Sequence, residues 1–142
     1  MKSAISYDDV LLTPAYSDIK SRSEVSIETD LGNGLVLELP ILASPMDTIS
    51  ESPMAVELGR LGGAAVIHRY NTLEMQARQV ELSRYVAMTS YKNTINVGVA
   101  VGISGDYLAR AKACIDAGAT FICVDVAHGH HIMMKEALTE LR

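Results

Sequence analysis

The sequence predicts an α/β fold made of four consecutive strand–helix units, preceded by an extended arm and a β-hairpin. Three observations support this prediction. Short apolar runs alternate with amphipathic helical patterns at a spacing of roughly 25–30 residues, which is typical of a βα unit. Gly-Asn-Gly at 32–34 separates two partly alternating runs, as in a hairpin turn. The run 121–126 is apolar except for one carboxylate, which is typical of a parallel strand covered on both faces.

The arm and the hairpin come first. Residues 1–24 carry no clear periodic pattern, and the apolar residues before Pro14 predict an extended segment that lies against another surface. Runs 24–31 and 35–39 each alternate apolar and polar residues in part, so they are predicted to pair across the turn.

The four strands of the predicted sheet lie at 41–44, 64–68, 95–101 and 121–126. A helical pattern follows each strand, and the first three helices are predicted to begin at favoured capping residues, namely Ser52, Asn71 (with Glu74) and Asp106. Their inward faces follow from helical spacing: Met54, Leu58 and Leu61, then Leu73, Ala77 and Val80, then Leu108, Ala111 and Ile115. The fourth helix is predicted at 132–141.

Four such units form either a doubly wound open sheet or half of an eight-stranded barrel, and periodicity does not separate the two. No internal linker is evident, so residues 1–142 are predicted to form a single domain.

Composition narrows the class of protein. A net charge of −5 argues against a nucleic-acid-binding surface, because such surfaces need clustered Lys and Arg. No run approaches the ~20 apolar residues of a membrane span, and the N-terminus lacks the apolar core of a signal peptide. Two cysteines in apolar segments suit a reducing compartment. The expectation is a cytoplasmic protein that contacts neither nucleic acid nor membrane.

Polar side chains at the ends of three predicted strands are the candidate site. Ser44, Arg69 and Asp125 each follow a strand, and the carboxyl ends of parallel strands share one edge, where α/β folds bind ligands. His68 adds a possible donor at the same edge. Each residue also has a simpler interpretation: the loop after 41–44 or Asp125 caps a helix, and a loop arginine is merely solvated.

Metal and nucleophile chemistry are less well supported. His128, His130 and His131 lie within four residues, but zinc sites need further ligands or a supporting carboxylate, so no metal site is predicted. Cys114 and Cys123 are predicted to be packing residues rather than nucleophiles. No catalytic residue is therefore assigned.

Five motifs together resemble one family. They are Asp-Val-Leu-Leu-Thr-Pro at 9–14, Lys-Ser-Arg-Ser-Glu-Val at 20–25, Ser-Pro-Met-Asp-Thr at 44–48, Val-Ile-His-Arg at 66–69 and Phe-Ile-Cys-Val-Asp-Val-Ala-His-Gly at 121–129. In this order they resemble the purine-nucleotide oxidoreductases IMP dehydrogenase and GMP reductase. The motifs at 20–25 and 121–127, and the lack of an insert between the second helix and the third strand, favour GMP reductase.

The resemblance implies the N-terminal half of a (β/α)₈ barrel and NADPH-dependent reductive deamination of GMP to IMP and ammonia. The alternative is NAD-dependent oxidation of IMP to XMP. In this family a loop cysteine bonds to C2 of the purine, and a hydride passes between that carbon and the nicotinamide. By position, Ser44 and Met46 are expected to touch the nucleotide, and Arg69, Asp125, Val126 and Ala127 to touch the cofactor. Ser21 and Arg22 are expected to reach the cofactor of a neighbouring subunit, which implies a homo-oligomer.

The chain departs from the family pattern in its extent. A complete barrel needs eight strands and roughly 250 residues, whereas this sequence supplies four predicted strands. The family's cysteine loop and phosphate-binding loops belong to the other half. We therefore expect an N-terminal half that works with a complementary C-terminal half. The alternatives are a non-catalytic module that binds or assembles with a host enzyme, and a remnant without function.

Overall fold

The computed structural model describes residues 3–92 and 94–142, and within them six strands and four α-helices are defined. The elements are β1 (Thr29–Asp30), β2 (Val36–Leu37), β3 (Leu42–Ala43), α1 (Ser52–Arg60), β4 (Ala64–Ile67), α2 (Leu73–Tyr91), β5 (Asn96–Val101), α3 (Tyr107–Asp116), β6 (Phe121–Val124) and α4 (Ile132–Glu140). Single turns of 3₁₀ helix lie at Tyr7–Asp9 and Arg22–Glu24.

The main sheet contains four parallel strands in the order β3–β4–β5–β6. Sequence order and spatial order coincide, and a helix separates each strand from the next along the chain. This confirms the predicted α/β fold of four βα units, and the arrangement is that of half of a (β/α)₈ barrel. The structure thus supports the second of the two topologies that periodicity alone left open.

The core lies between the sheet and the helices. Alternate side chains of β4 and β5 point to this side, and they pack with residues of the helices that cover them. The buried cluster includes Ala65, Ile67, Val97, Val99, Val80, Ala87 and Cys114. The intervening sheet residues are small, and Gly98 pairs with Phe121 so closely that a Cβ on Gly98 would lie 2.4 Å from the ring.

The hairpin closes the amino-terminal end of the sheet. Its turn has positive φ at Gly32 (100°), Asn33 (54°) and Gly34 (80°), as the sequence predicts, although its paired strands are shorter than expected. The Asn96 side chain at the start of β5 donates a hydrogen bond of 3.1 Å to the carbonyl of Val36 in β2. The carboxyl end of the sheet is therefore the end that the hairpin leaves uncovered.

Several predicted boundaries are wrong, each for a local reason. Helix α2 is capped by Thr72, whose Oγ1 accepts from the N–H of Met75 at 3.2 Å, so Asn71 lies one residue outside the cap. Helix α1 begins at Ser52 itself, with Glu51 at the N-cap. Strand β6 ends at Val124, although the N–H of Asp125 still bonds to the carbonyl of Val101 at 2.9 Å.

The inward face of α3 also differs from the prediction. Leu108 and Ile115 are about half exposed, whereas Arg110, Ala111 and Cys114 are buried. The prediction assumed that only apolar residues face the core, and Arg110 breaks that rule because its guanidinium is hydrogen-bonded there.

The arm is exposed throughout residues 3–28, so no surface that it packs against lies within the described residues. In the described ranges, no helix combines the length and the apolar character needed to cross a membrane.

Candidate functional site

Arg69 and Asp125 meet at the carboxyl edge of the sheet. Arg69 follows β4 and Asp125 follows β6, and the two strands are separated by β5. The Arg69 Nε lies 3.6 Å from Asp125 Oδ2, and its Nη2 donates to the Asp125 carbonyl at 3.3 Å. The edge position predicted for both residues is therefore what the structure shows.

Gly102 lies beside this approach and is in ordinary packing distance of the guanidinium. It follows β5, the strand between the two partners, and a Cβ at this position would lie 3.6 Å from Arg69 Nη1. The guanidinium thus passes beside the end of β5, with its central carbon 5.7 Å from the centre of the Tyr70 ring. Among the described residues, Arg69 Nε has no hydrogen-bond partner, and the Asp125 carboxylate accepts no hydrogen bond. About a third of each side chain is exposed, so both can meet a ligand.

The loop that follows β3 is tied to the same edge by backbone contacts. Ser50 Oγ donates to the carbonyl of Ser44, and the Ser50 N–H donates to the carbonyl of Met46 at 2.9 Å. The Ser50 carbonyl in turn accepts from the N–H of His68 at 3.2 Å, directly before Arg69. The Ser44 and Met46 side chains remain exposed. These contacts place the loop beside the end of β4.

His68 is buried and anchors this loop, so its donor serves Glu51 rather than the open edge. Its side chain is only 3% exposed, and its Nδ1 accepts from the N–H of Tyr70 at 3.2 Å. Because Nδ1 is an acceptor, Nε2 carries the proton and donates to Glu51 Oε1 at 3.1 Å. Sequence reasoning missed Glu51, since nothing in its spacing links it to His68.

Of the other candidate residues, two lie next to Asp125 and two lie on the arm. Val126 is half-buried and Ala127 is exposed, both just beyond Asp125. Ser21 and Arg22 lie on the exposed arm, where the Ser21 Oγ caps a short 3₁₀ turn by accepting from the N–H of Ser23. In the described part of the chain, no hydrogen bond or ion pair joins Ser21 or Arg22 to the edge.

The cysteines and histidines do not add a reacting group. Burial raises the pKa of Cys114 to about 11, and burial, together with the nearby Asp125 charge, raises the pKa of Cys123, so both thiols stay protonated at neutral pH. Within the residues described, no group of three or more His, Cys, Asp and Glu side chains is arranged to hold a metal ion. Among the described residues, neither a thiolate nor a metal-binding cluster therefore lies at the edge.

Two buried polar residues behind the edge were also missed. Gln76 on α2 is completely buried and Arg110 on α3 is 9% exposed, and they hydrogen-bond to each other at 2.9 Å. Gln76 stands four residues before the core residue Val80, which was the available signal, because a polar residue at an inward helical position requires buried partners.

Comparisons with known proteins point to one family. Residues 4–142 match the family described as the IMP dehydrogenase / GMP reductase domain. The inosine-5'-monophosphate dehydrogenase of Cryptosporidium parvum is 30% identical over 97% of this chain, and the match covers 43% of that protein. The enzyme of the same name from Nitrosopumilus maritimus is 44% identical over 56% of this chain and 17% of its own length. A GMP reductase of Leishmania donovani is 42% identical over 54% of this chain and 15% of its own length. The chain thus spans less than half the length of these curated relatives.

Proposed function

This chain belongs to the IMP dehydrogenase/GMP reductase family, and we propose that it supplies the N-terminal half of a GMP reductase-like barrel. The family comprises oxidoreductases that act on purine nucleotides with nicotinamide cofactors. The observation that carries the proposal is the approach of Arg69 to Asp125 at the carboxyl edge of the sheet. Both residues lie in motifs that resemble the family, and about a third of each side chain is exposed.

The chemistry of these two side chains fits a nicotinamide nucleotide. A carboxylate accepts hydrogen bonds from ribose hydroxyls, and the Asp125 oxygens are free to do so. The Arg69 guanidinium can meet phosphate or ribose oxygens, and the hydrogen bond from its Nη2 to the Asp125 carbonyl holds it at this edge. When bound, NADPH would supply the hydride for C2 of GMP, whose amino group leaves as ammonia to give IMP. The chain's own task is to orient the cofactor for that transfer, with Val126 and Ala127 contacting it through the same loop.

We assign Ser44 and Met46 to the purine nucleotide. Their loop is fixed by the bonds from Ser50 and by the His68–Glu51 contact, so its exposed side chains are presented at a constant position. A hydroxyl and a thioether suit a nucleotide, because one forms a hydrogen bond and the other packs against a flat base. Ser21 and Arg22, on the exposed arm, are proposed to reach the cofactor of a neighbouring subunit in a homo-oligomer.

Exposed area supports the need for a partner. The chain exposes 10283 Å². A compact monomer of 15.3 kDa is expected to expose about 7,100 Å² by the usual scaling of surface with mass. Part of this excess belongs to the arm, and part to β3 and β6, each paired on one side only. We propose that a complementary C-terminal half covers these strands and supplies the cysteine that bonds to the purine. The two cysteines of this chain are unpaired thiols, which fits a reducing compartment such as the cytoplasm.

Reconstitution tests the proposal directly. The chain would be combined with the C-terminal half of a full-length GMP reductase, and NADPH consumption would be followed by its absorbance with GMP present. We expect turnover only when both halves and both ligands are present, and we expect loss of turnover when Asp125→Ala is introduced. A stable complex of the two halves that never turns over would refute the catalytic proposal and favour a non-catalytic assembly module.

IMP dehydrogenase activity is the second candidate, because the relatives from Cryptosporidium and Nitrosopumilus are both named as such. In that case the same edge would hold NAD while IMP is oxidised to XMP. To separate the two activities, this chain would be combined with the C-terminal half of an IMP dehydrogenase, and the formation of NADH would be followed with IMP and NAD present. Production of NADH with IMP, and no oxidation of NADPH with GMP, would replace the GMP reductase assignment.

A further inference from the structure

Gln76 holds the ends of two neighbouring strands. The side chain is completely buried on the inward face of α2, and its Nε2 donates to the carbonyl of Ile67 at 3.1 Å and to that of Ala100 at 2.9 Å. The ladder between β4 and β5 makes its last pair at Ile67 and Val99. Gln76 therefore satisfies carbonyl groups at the point where these two strands separate, and an apolar side chain there would leave both carbonyls unpaired.

Arg110 fixes the orientation of that amide. Its Nη1 donates to Gln76 Oε1 at 2.9 Å, so the Gln76 amide nitrogen has to face the two strand carbonyls. Its Nη2 donates to the carbonyl of Asn71 at 3.2 Å and to Asp106 Oδ2 at 3.1 Å. The positive charge is thus paired, and the guanidinium links α2, α3 and the segment that leads into α2.

The bonded carbonyls flank the candidate site. Ile67 lies two residues before Arg69, Asn71 lies two residues after it, and Ala100 lies two residues before Gly102. The backbone is therefore held on both sides of Arg69 and just ahead of the glycine against which its guanidinium rests. We propose that Gln76 and Arg110 form a brace that positions Arg69 for the ligand, in addition to any contribution that they make to stability.

A buried polar pair is a costly way to obtain stability alone. Replacement of buried ion pairs by well-packed apolar residues is often neutral or stabilising, but an apolar residue at position 76 would also leave two strand carbonyls unpaired. This pair is therefore suited to fixing the geometry of those carbonyls. Here the geometry concerns three backbone carbonyls around one edge. The existence of the brace does not depend on the proposed function, but its effect on cofactor affinity rests on that function.

Hydrogen–deuterium exchange of the full 142-residue chain tests the brace. Gln76→Glu keeps the size of the side chain and gains an ion pair with Arg110, but it removes the donor for both strand carbonyls. The control is Val80→Ala, which opens a cavity one helical turn along the same buried face without touching the edge. The two variants are compared at matched global stability, with urea added to the more stable one.

We expect exchange to rise at least tenfold at residues 67–72 and 100–104 in Gln76→Glu relative to Val80→Ala, with the rest of the sheet unchanged. An equal rise in both variants, or a rise spread over the whole sheet, would overturn the proposal. Should Gln76→Glu fail to fold, Arg110→Met is compared with Val80→Ala by the same measurement. This variant keeps the Gln76 donor but removes the hydrogen bond that orients it, so we expect exchange to rise at the same residues. No local rise would overturn the proposal.

The effect of the brace on ligand binding is measured as KM in the reconstituted enzyme. With Gln76→Glu we expect KM for the cofactor to rise about tenfold while KM for the nucleotide stays within twofold, and with Val80→Ala neither should change. Equal changes in both variants would reduce the brace to a stability element. A wild-type assembly without turnover would refute the proposed function and would leave the exchange measurement to decide the brace.

Discussion

The Nε atom of Arg69 lies 3.6 Å from Oδ2 of Asp125, although 56 positions separate the two residues in the chain. This distance is too long for a hydrogen bond, and both side chains are about one-third exposed. Such a pair contributes about 0–1 kcal/mol to folding. The contact therefore does little to hold the sheet together, and binding and stability can be separated by mutation at this edge.

Asp125→Asn should weaken cofactor binding without unfolding the chain. The change keeps the shape of the side chain but replaces a carboxylate by an amide, so at least one charge-assisted bond to a ribose hydroxyl is lost. Bonds of that kind contribute about 1.5–3 kcal/mol, which predicts a rise in the dissociation constant of roughly ten- to a hundredfold. Calorimetric titration of the reconstituted enzyme with NADPH measures the effect.

Asp116→Asn is the matched control for that change. Asp116 lies on α3 and pairs with Lys112 at 2.9 Å, away from the carboxyl edge, and its carboxylate is exposed. We expect the Asp116→Asn variant to bind NADPH with the same dissociation constant as the wild type. Equal affinities for the Asp125 variant and the wild type would remove Asp125 from the binding site.

His68→Ala should destabilise the fold, because it breaks the link between the loop after β3 and the end of β4. The N–H of Tyr70 and the carboxylate of Glu51 would lose their partner, and a buried volume would open. We expect the free energy of unfolding to fall by about 2–4 kcal/mol, measured by urea denaturation. Glu51→Gln keeps an oxygen acceptor for His68 and should cost less than about 1 kcal/mol. A large loss in Glu51→Gln would show that the charge of Glu51, rather than its hydrogen bond, holds the loop.

Periodicity and turn chemistry were sufficient to predict the hairpin and four βα units, but not to choose half of a barrel over a doubly wound sheet. The apolar runs that became β4 and β5 are continuous because both faces of those strands are covered, and Gly-Asn-Gly has the positive φ values that the hairpin needs. Helix starts were less certain, because Asn71 and Thr72 are both good caps and only the direction of the entering chain decides between them.

The candidate site was predictable only in part. The common edge of Arg69 and Asp125 follows from parallel strand order, which the sequence pattern predicts. The burial of His68 depends on how the loop folds back to bring Glu51 to it, which no local pattern encodes. The pairing of Gln76 with Arg110 spans 34 positions and two helices, and it depends on tertiary packing.

Gly98→Ala should destabilise the sheet by overpacking. The new Cβ would lie 2.4 Å from the ring of Phe121, the residue paired with Gly98 on β6. Overpacking of this kind costs about 1–3 kcal/mol, and urea denaturation measures it. The double variant Gly98→Ala with Phe121→Leu should recover part of the loss, because the ring that clashes is gone. Gly129→Ala is the control, since a Cβ there meets nothing within 4 Å. Additive losses in the double variant would contradict the packing explanation.

Cys114 should make stability depend on pH in the alkaline range. Burial raises its pKa from 9.0 to about 11, so the unfolded chain releases the proton before the folded chain does. The stability that this thiol contributes is complete below pH 9 and is lost as the pH rises towards 11. Each unit of pKa difference corresponds to about 1.4 kcal/mol, so the full loss is on the order of 3 kcal/mol.

Comparison with Cys114→Ala isolates this contribution, because other groups that titrate in alkali cancel in the difference. The free energy of unfolding would be measured in urea from pH 8 to pH 10.5 for both proteins, and the advantage of the wild type should shrink as the pH rises. At pH 8 the folded wild type should also resist alkylation at Cys114, since only about one thiol in a thousand is ionised at a pKa of about 11. Cys123 is less buried and should react first. A pH-independent difference together with rapid alkylation of Cys114 would show that this thiol is not shielded by the packing of α3 against the sheet.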